Sequence, residues 1–141
     1  MMKIRPATDA DDVVAIWREV YQADYVTLLP DGVELPFEPR GECYVAEIDE
    51  IAAAFIYIDM QWLDELWVGK QFQGSGIGTA LVRHAETMMR AACFSCGYLS
   101  VLKANVRAVA LYERLGWTPA SAFQDRRSGV WNLKMLKQFS G

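Results

Sequence analysis

The stretch Gln71 to Leu81, QFQGSGIGTAL, sets Gly74, Gly76 and Gly78 at alternate positions and then runs into residues that favour a helix. Glycine inside a helix costs about 0.5–1 kcal/mol relative to alanine, so the cluster needs a reason where a helix begins. One reason is a flexible surface turn. The other is a loop whose N–H groups approach a phosphate, with no Cβ in the way and the positive end of the helix behind them. Two known phosphate loops do not fit. A Walker loop needs Gly-Lys-Ser/Thr, and the one Gly-Lys pair, Gly69–Lys70, is followed by Gln71. A dinucleotide fingerprint counted from Gly74 has its third glycine one place early, at Gly78, with Thr79 in its slot. Cys93 and Cys96 form the other pattern with chemical content. Zinc would need two further ligands, with Cys43 and the single histidine, His84, left to supply them. A redox pair would open a helix, whereas this pair follows one, so the cysteines read as reduced structural thiols.

The chain of 141 residues is 52% hydrophobic and 23% charged, with net charge −4, enough for one domain with a buried core. Its apolar runs fall short of the ~20 residues that a membrane-spanning helix needs. The opening MMKIRPATDADD lacks the apolar stretch of a secretion signal, so a cytoplasmic location is expected. Scattered basic residues and an acidic balance argue against a nucleic-acid partner.

The elements that must position the loop follow from periodicity. Lys3–Ala7 reads as an edge strand. Thr8 is expected to cap a helix whose first turn holds Asp9, Asp11 and Asp12, with Val13, Ile16, Trp17 and Val20 on one face, running to about Gln22. The sequence DYVTLLP adds a turn that Pro30 stops, and Pro30 to Gly41 is a loop without periodicity, of a length typical of lids and binding loops. ECYVAEI, IAAAFIYIDM and WLDELWV form an antiparallel meander, with turns at Asp49–Glu50 and Met60–Gln61. After the glycine loop, Ile77, Leu81, Ala85, Met88 and Ala92 make an apolar helical stripe, with Arg83, Glu86 and Arg90 opposite. YLSVL is a strand, RAVALYERL a helix closed by Gly116, and WTPASAF and VWNLKMLK a strand pair around QDRRSG. The order predicts a mixed sheet with helices on both faces and a parallel crossover from the fourth strand to the fifth.

Gln73-Gly74-Ser75-Gly76-Ile77-Gly78, following a strand that ends in LWV, resembles the acyl-CoA pyrophosphate loop of the GNAT superfamily of acetyl-CoA-dependent N-acetyltransferases. NVRAVALYERLGW, Asn105 to Trp117, is similar to that family's N-x-x-A-x-x-x-Y block at the expected distance downstream. The two motifs stand in the family's order within a matching succession of elements. The resemblance implies an α/β (α+β) fold over residues 1–141: a single-domain mixed sheet of six to seven strands flanked by about four helices. One departure is the Asp49–Glu50 turn, which lacks the glycine common there.

The resemblance also implies roles. Gln73, Gly74, Ser75, Gly76, Ile77, Gly78 and Thr79 would hold the pyrophosphate of acetyl-CoA, and the main chain of Leu66, Trp67 and Val68 its pantetheine arm and oxyanion. Asn105 and Ala108 match cofactor contacts, although Asn105 also reads as an ordinary helix cap. Tyr112 matches the tyrosine that lies near the sulfur and protonates the thiolate, and it equally reads as a core residue on an apolar face. For the base, Asp64 stands four places before Val68, as in several members, and shares strand parity with Leu66 and Val68. Glu65 is the reserve, and water alone is the third possibility. Tyr21, Tyr25 and Trp62 are expected to line the acceptor pocket, with Tyr57 a further candidate; core packing is the competing reading for each. His84 flanks the apolar stripe, away from the thioester. The function so implied is transfer of acetyl from acetyl-CoA to a primary amine of a small molecule or peptide by direct attack in a ternary complex. It needs no metal, leaves a homodimer open, and has as its rival an acyl-CoA-binding sensor or scaffold without turnover.

Overall fold

The computed structural model describes residues 1–140. Seven strands form one sheet: β1 (Met2–Pro6), β2 (Glu42–Ile48), β3 (Ile51–Asp59), β4 (Trp62–Val68), β5 (Cys96–Leu102), β6 (Thr118–Gln124) and β7 (Trp131–Gln138), in the spatial order β1-β2-β3-β4-β5-β7-β6. Three α-helices, α1 (Val13–Ala23), α2 (Ile77–Ala91) and α3 (Val106–Arg114), join 3-10 turns at Tyr25–Leu28 and Lys70–Phe72. The expected added turn before Pro30 is thus a 3-10 turn, which brings the α-helices to three where about four were anticipated.

The first helix starts later than the acidic run suggests. Asp12, not Thr8, caps it by accepting from the Ala15 N–H at 3.1 Å. Asp11 is drawn off by the Arg5 guanidinium in a two-pronged pair at 2.8 and 2.9 Å, and it also accepts from the Thr8 N–H at 2.8 Å. These bonds hold the Asp11 carboxyl well below the usual carboxylate range. Asp11 therefore fastens the chain to β1 before the helix begins. At the turn without glycine, Asp49 and Glu50 themselves adopt φ 48° and 69°, which a two-residue hairpin requires.

Helices cover both faces. On one, Ala54, Ile56, Ile58 and Leu63 pack with Ile77, Leu81, Val82, Ala85 and Met89 of α2 and with Tyr112 of α3, all buried. On the other, Tyr21, Leu29, Leu102 and Val130 form a smaller cluster flanked by Trp17, Tyr25, Val33, Leu35 and Trp67.

Two departures from regular pairing shape the middle of the sheet. Strands β4 and β5 are parallel partners only at Trp62 with Tyr98 and Leu63 with Leu99; beyond that point β5 continues along β7 while β4 keeps only β3. Within β4, Tyr57 of β3 faces Glu65 but Ile58 faces Leu63, which leaves Asp64 as the extra residue of a bulge.

A buried carboxylate ties the second layer together. Glu86, 3% exposed, accepts from the Trp117 indole N–H at 3.1 Å, from Lys137 Nζ at 2.9 Å and from Arg83 at 3.2 Å, and Lys137 also donates to the Leu115 carbonyl at 2.8 Å. Removing one member of such a group strands the others. Glu86→Ala is therefore expected to lower stability in urea unfolding by about 3–5 kcal/mol. The half-exposed Arg83 changed to Ala should cost under about 1 kcal/mol.

Candidate active site

The glycine loop leaves β4 through the Lys70–Phe72 turn and enters α2 at Gly76. Gly74 (φ 82°) and Gly76 (φ 86°) take the left-handed conformation that L side chains resist, and a Cβ on either would meet nothing within 4 Å. Their space is open to the outside, so conformation and approach, not internal crowding, call for glycine. Gly78 differs: it faces Leu111 and Val68 at ordinary contact distance and lets α2 lie against α3 and β4. The first intrahelical bond of α2 runs from the Ala80 N–H to the Gly76 carbonyl at 3.1 Å. The N–H groups of Ile77, Gly78 and Thr79 are the ones a helix leaves free at its start. No acidic side chain occupies the first turn, so its positive end is uncompensated. Ser75 Oγ donates to the Phe72 carbonyl at 2.7 Å, and Gln73 Nε2 to the Val68 carbonyl at 3.0 Å, so both side chains brace the loop.

The start of the loop is also fastened to α1. The Lys70 N–H donates to Glu19 at 2.9 Å, and Lys70 Nζ bridges both Asp24 oxygens at 2.9 and 2.7 Å. Asn105 caps α3, accepting from the Ala108 N–H at 3.3 Å, so the cap reading of Asn105 holds in the structure.

Beside the gap between β4 and β5, one carboxyl and several rings collect. Glu65, opposite Tyr57, accepts from the Trp67 indole N–H at 3.2 Å. The Trp67 ring lies 5.2 Å from Tyr25, Tyr25 lies 5.7 Å from Tyr21, and Tyr21 lies 5.1 Å from Trp17. Burial pushes the Glu65 carboxyl up to about 7, against the pull of the Trp67 hydrogen bond. Tyr112, buried on the α3 side, is raised above the usual phenol range chiefly by burial, with the charges of Glu65 and Tyr25 adding to it. Burial likewise raises Tyr25 to about 12.

Asp64 and Trp62 lie elsewhere. The Asp64 carboxylate accepts from the Arg40 N–H at 2.7 Å, beside a cavity of about 350 Å³ lined by Arg40, Asp59, Trp62, Leu63, Asp64 and Ser100. Burial raises Asp64, and the hydrogen bond from the Arg40 N–H pulls the other way. Trp62 packs on Tyr98 at 5.3 Å, with Lys134 over both rings. The simple parity that ranked Asp64 ahead of Glu65 is interrupted by the bulge at Asp64, and Glu65 is the one of the two bonded to the Trp67 indole. Arg40, which engages Asp64, sits in the loop without periodicity, where no sequence signal marks it. The Trp67 side chain, expected only for its main chain, could have been noticed as sharing Glu65's parity. His84 lies on α2 against Tyr44 at 4.8 Å, away from this cluster; its Nε2 is buried without a partner, and burial lowers its pKa.

The sequence matches the Acetyltransferase (GNAT) family over residues 10–117. It is 35% identical over 116 residues to an uncharacterised N-acetyltransferase of Methanocaldococcus jannaschii, covering 77% of this chain and 72% of that one. It is 29% identical over 144 residues to thialysine N-epsilon-acetyltransferase of Sus scrofa, covering 92% and 81%. A Bacillus anthracis protein solved with acetyl coenzyme A shares the fold, with TM-score 0.66, 18% identity and coverage of 77% and 70%. Fold and sequence together define an acyltransferase. The chain belongs to the GNAT family of acetyltransferases.

Because the folded state holds the Glu65 proton up to about pH 7 and an unfolded carboxyl releases it near 4.5, the folded state binds more protons in between. Stability must then fall as pH rises across that window. Glu65→Gln is expected to flatten this part of the stability curve in urea titrations from pH 4.5 to 7.5. An unchanged slope would place the titrating group elsewhere.

Proposed function

We propose that the chain transfers acetyl from acetyl-CoA to a primary amine by direct attack within a ternary complex. The observation that carries this reading is the stretch of β4 left without a β5 partner after Leu63, which holds Glu65 against the Trp67 indole and leads through one loop to the free N–H groups of α2. The loop suits a pyrophosphate. The main chain of Leu66–Val68, without a β5 partner, suits the pantetheine arm and the developing oxyanion.

In this scheme the amine reaches the site as an ammonium ion and gives a proton to Glu65, whose carboxylate has a basicity matched to neutral pH. The free amine nitrogen attacks the thioester carbonyl carbon, the C–S bond breaks, and the nitrogen's surplus proton leaves to water, or to Glu65 once Glu65 has passed its first proton to solvent. Tyr112, kept protonated by burial, supplies the proton that turns the leaving thiolate into thiol. The aromatic wall of Trp17, Tyr21, Tyr25 and Trp67 suits a cationic acceptor, since ring faces attract ammonium groups. The acceptor amine named for the Sus scrofa relative is of this kind. The site scheme uses a single chain and no metal.

The reading is checked by thiol release together with calorimetry. Tyr112→Phe deletes one hydroxyl and should lower kcat by about tenfold or more while acetyl-CoA binding stays near wild type. Full turnover in that variant would return Tyr112 to a packing role. Gly76→Ala introduces a Cβ into the open approach at φ 86°. It should cost about 1–2 kcal/mol of stability and weaken acetyl-CoA binding by about tenfold or more. Unchanged affinity would remove the loop from the cofactor site. Tight acetyl-CoA binding with no thiol release for any amine would favour a sensor.

A further inference from the structure

Glu65 and Trp67 stand two residues apart on β4 and so share one face of the sheet, with Tyr57 and Phe55 of β3 as their respective partners. Both lie in the stretch of β4 that β5 leaves after Leu63. The Trp67 indole N–H donates to Glu65 Oε2 at 3.2 Å, and no hydrogen bond among the described residues reaches Oε1. Among those residues His84 Nε2 is the one buried side-chain nitrogen or oxygen that lacks a partner, so Glu65 Oε1 is open to solvent. The carboxylate is divided: one oxygen is fixed and the other is free to exchange a proton.

The indole is itself seated from behind. Its ring packs on Tyr25 at 5.2 Å, Tyr25 stacks on Tyr21 at 5.7 Å, and the buried Tyr21 accepts from the Leu35 N–H at 2.8 Å. Helix α1, the 3-10 turn after it and the loop beyond Pro30 each supply one of these residues, so three segments hold one ring. The ionisable groups around Glu65 are Asp64 beside it, Tyr57 across from it on β3, Tyr25 and Tyr112. All are acids. Arg40 stands with Asp64 in the separate cavity, and Glu65 takes part in no ion pair among the described residues. The indole N–H is therefore the donor that favours the ionised carboxylate against its burial. We propose that Trp67 is a positioning residue for proton transfer: its indole holds Glu65 by one oxygen, in the ionised form, and leaves the other oxygen to take the proton of the acceptor ammonium. The inference rests on the transferase reading for the source of that proton, whereas the hold on the carboxylate does not depend on turnover.

Two readouts test it: the Glu65 titration, followed by carboxyl-carbon NMR and assigned with Glu65→Gln, and the pH profile of thiol release from acetyl-CoA. Trp67→Phe keeps a ring and deletes the N–H. Glu65 should then titrate about one pH unit higher, because a hydrogen bond to its ionised form is lost. The variant's rate, as a fraction of wild type, should be about five- to tenfold smaller near pH 6.5 than near pH 9. Trp67→Gln, whose Nε2 is as many bonds from Cβ as the indole Nε1, should bring part of the titration back. A Glu65 titration unmoved in folded Trp67→Phe, or raised as far in Trp67→Gln, overturns the positioning role. The unaltered protein gives a check free of any folding defect: the Trp67 indole proton resonance should shift at the Glu65 midpoint, and an indole that does not respond overturns the role as well. A moved titration with a rate loss equal at every pH overturns the part in proton transfer. A moved titration with no thiol release for any amine keeps the hold on Glu65 and retires the transferase reading.

Discussion

The parting of β4 from β5 after Leu63 is the constraint on which the rest of the molecule depends. A parallel pair in the centre of a sheet normally continues its ladder, because buried N–H and C=O groups left unpaired cost about 1–3 kcal/mol each. Here β5 stays paired to β7 on its other edge along its whole length, while β4 runs on beside β3 alone. The opening is affordable because layers on both sides keep it in place: α2 and α3 on one face, α1 and the segment after it on the other. The Glu19 and Asp24 contacts to Lys70 link the α1 side to the root of the glycine loop, so the two flanks of the opening are joined.

The electrostatics follow from the same geometry. Glu65 is withdrawn from water by Tyr25, Trp67 and the sheet, with one indole N–H as partner, and its proton affinity rises until it titrates near neutrality. The same removal from water keeps Tyr112 protonated. Removal from water thus holds both the carboxyl and the phenol toward their protonated forms. Glu86 marks the contrast: more deeply buried, it is surrounded by Lys137, Arg83 and Trp117, and serves cohesion.

Much of this was legible in the sequence. The strand and helix succession, the sheet with covered faces and the glycine loop followed from periodicity and from two motifs, because such features are local. Three things were not. Asp11 was read as helix-start acid, yet Arg5, six residues back, captures it. The order of Asp64 and Glu65 depended on strict alternation, and one bulged residue reverses the argument without leaving a mark in WLDELWV. The part played by Arg40 rests on a bond to a residue 24 positions away, so no spacing could announce it.

The most direct test of the account is a crystal structure of the chain with CoA. The proposed scheme predicts the pyrophosphate on the N–H groups from Gly74 to Thr79, the pantetheine arm along Leu66–Val68, and the thiol within hydrogen-bond reach of the Tyr112 hydroxyl, with Glu65 facing the same space. A thiol lying on the Asp64 and Arg40 side, out of reach of Tyr112, would contradict it.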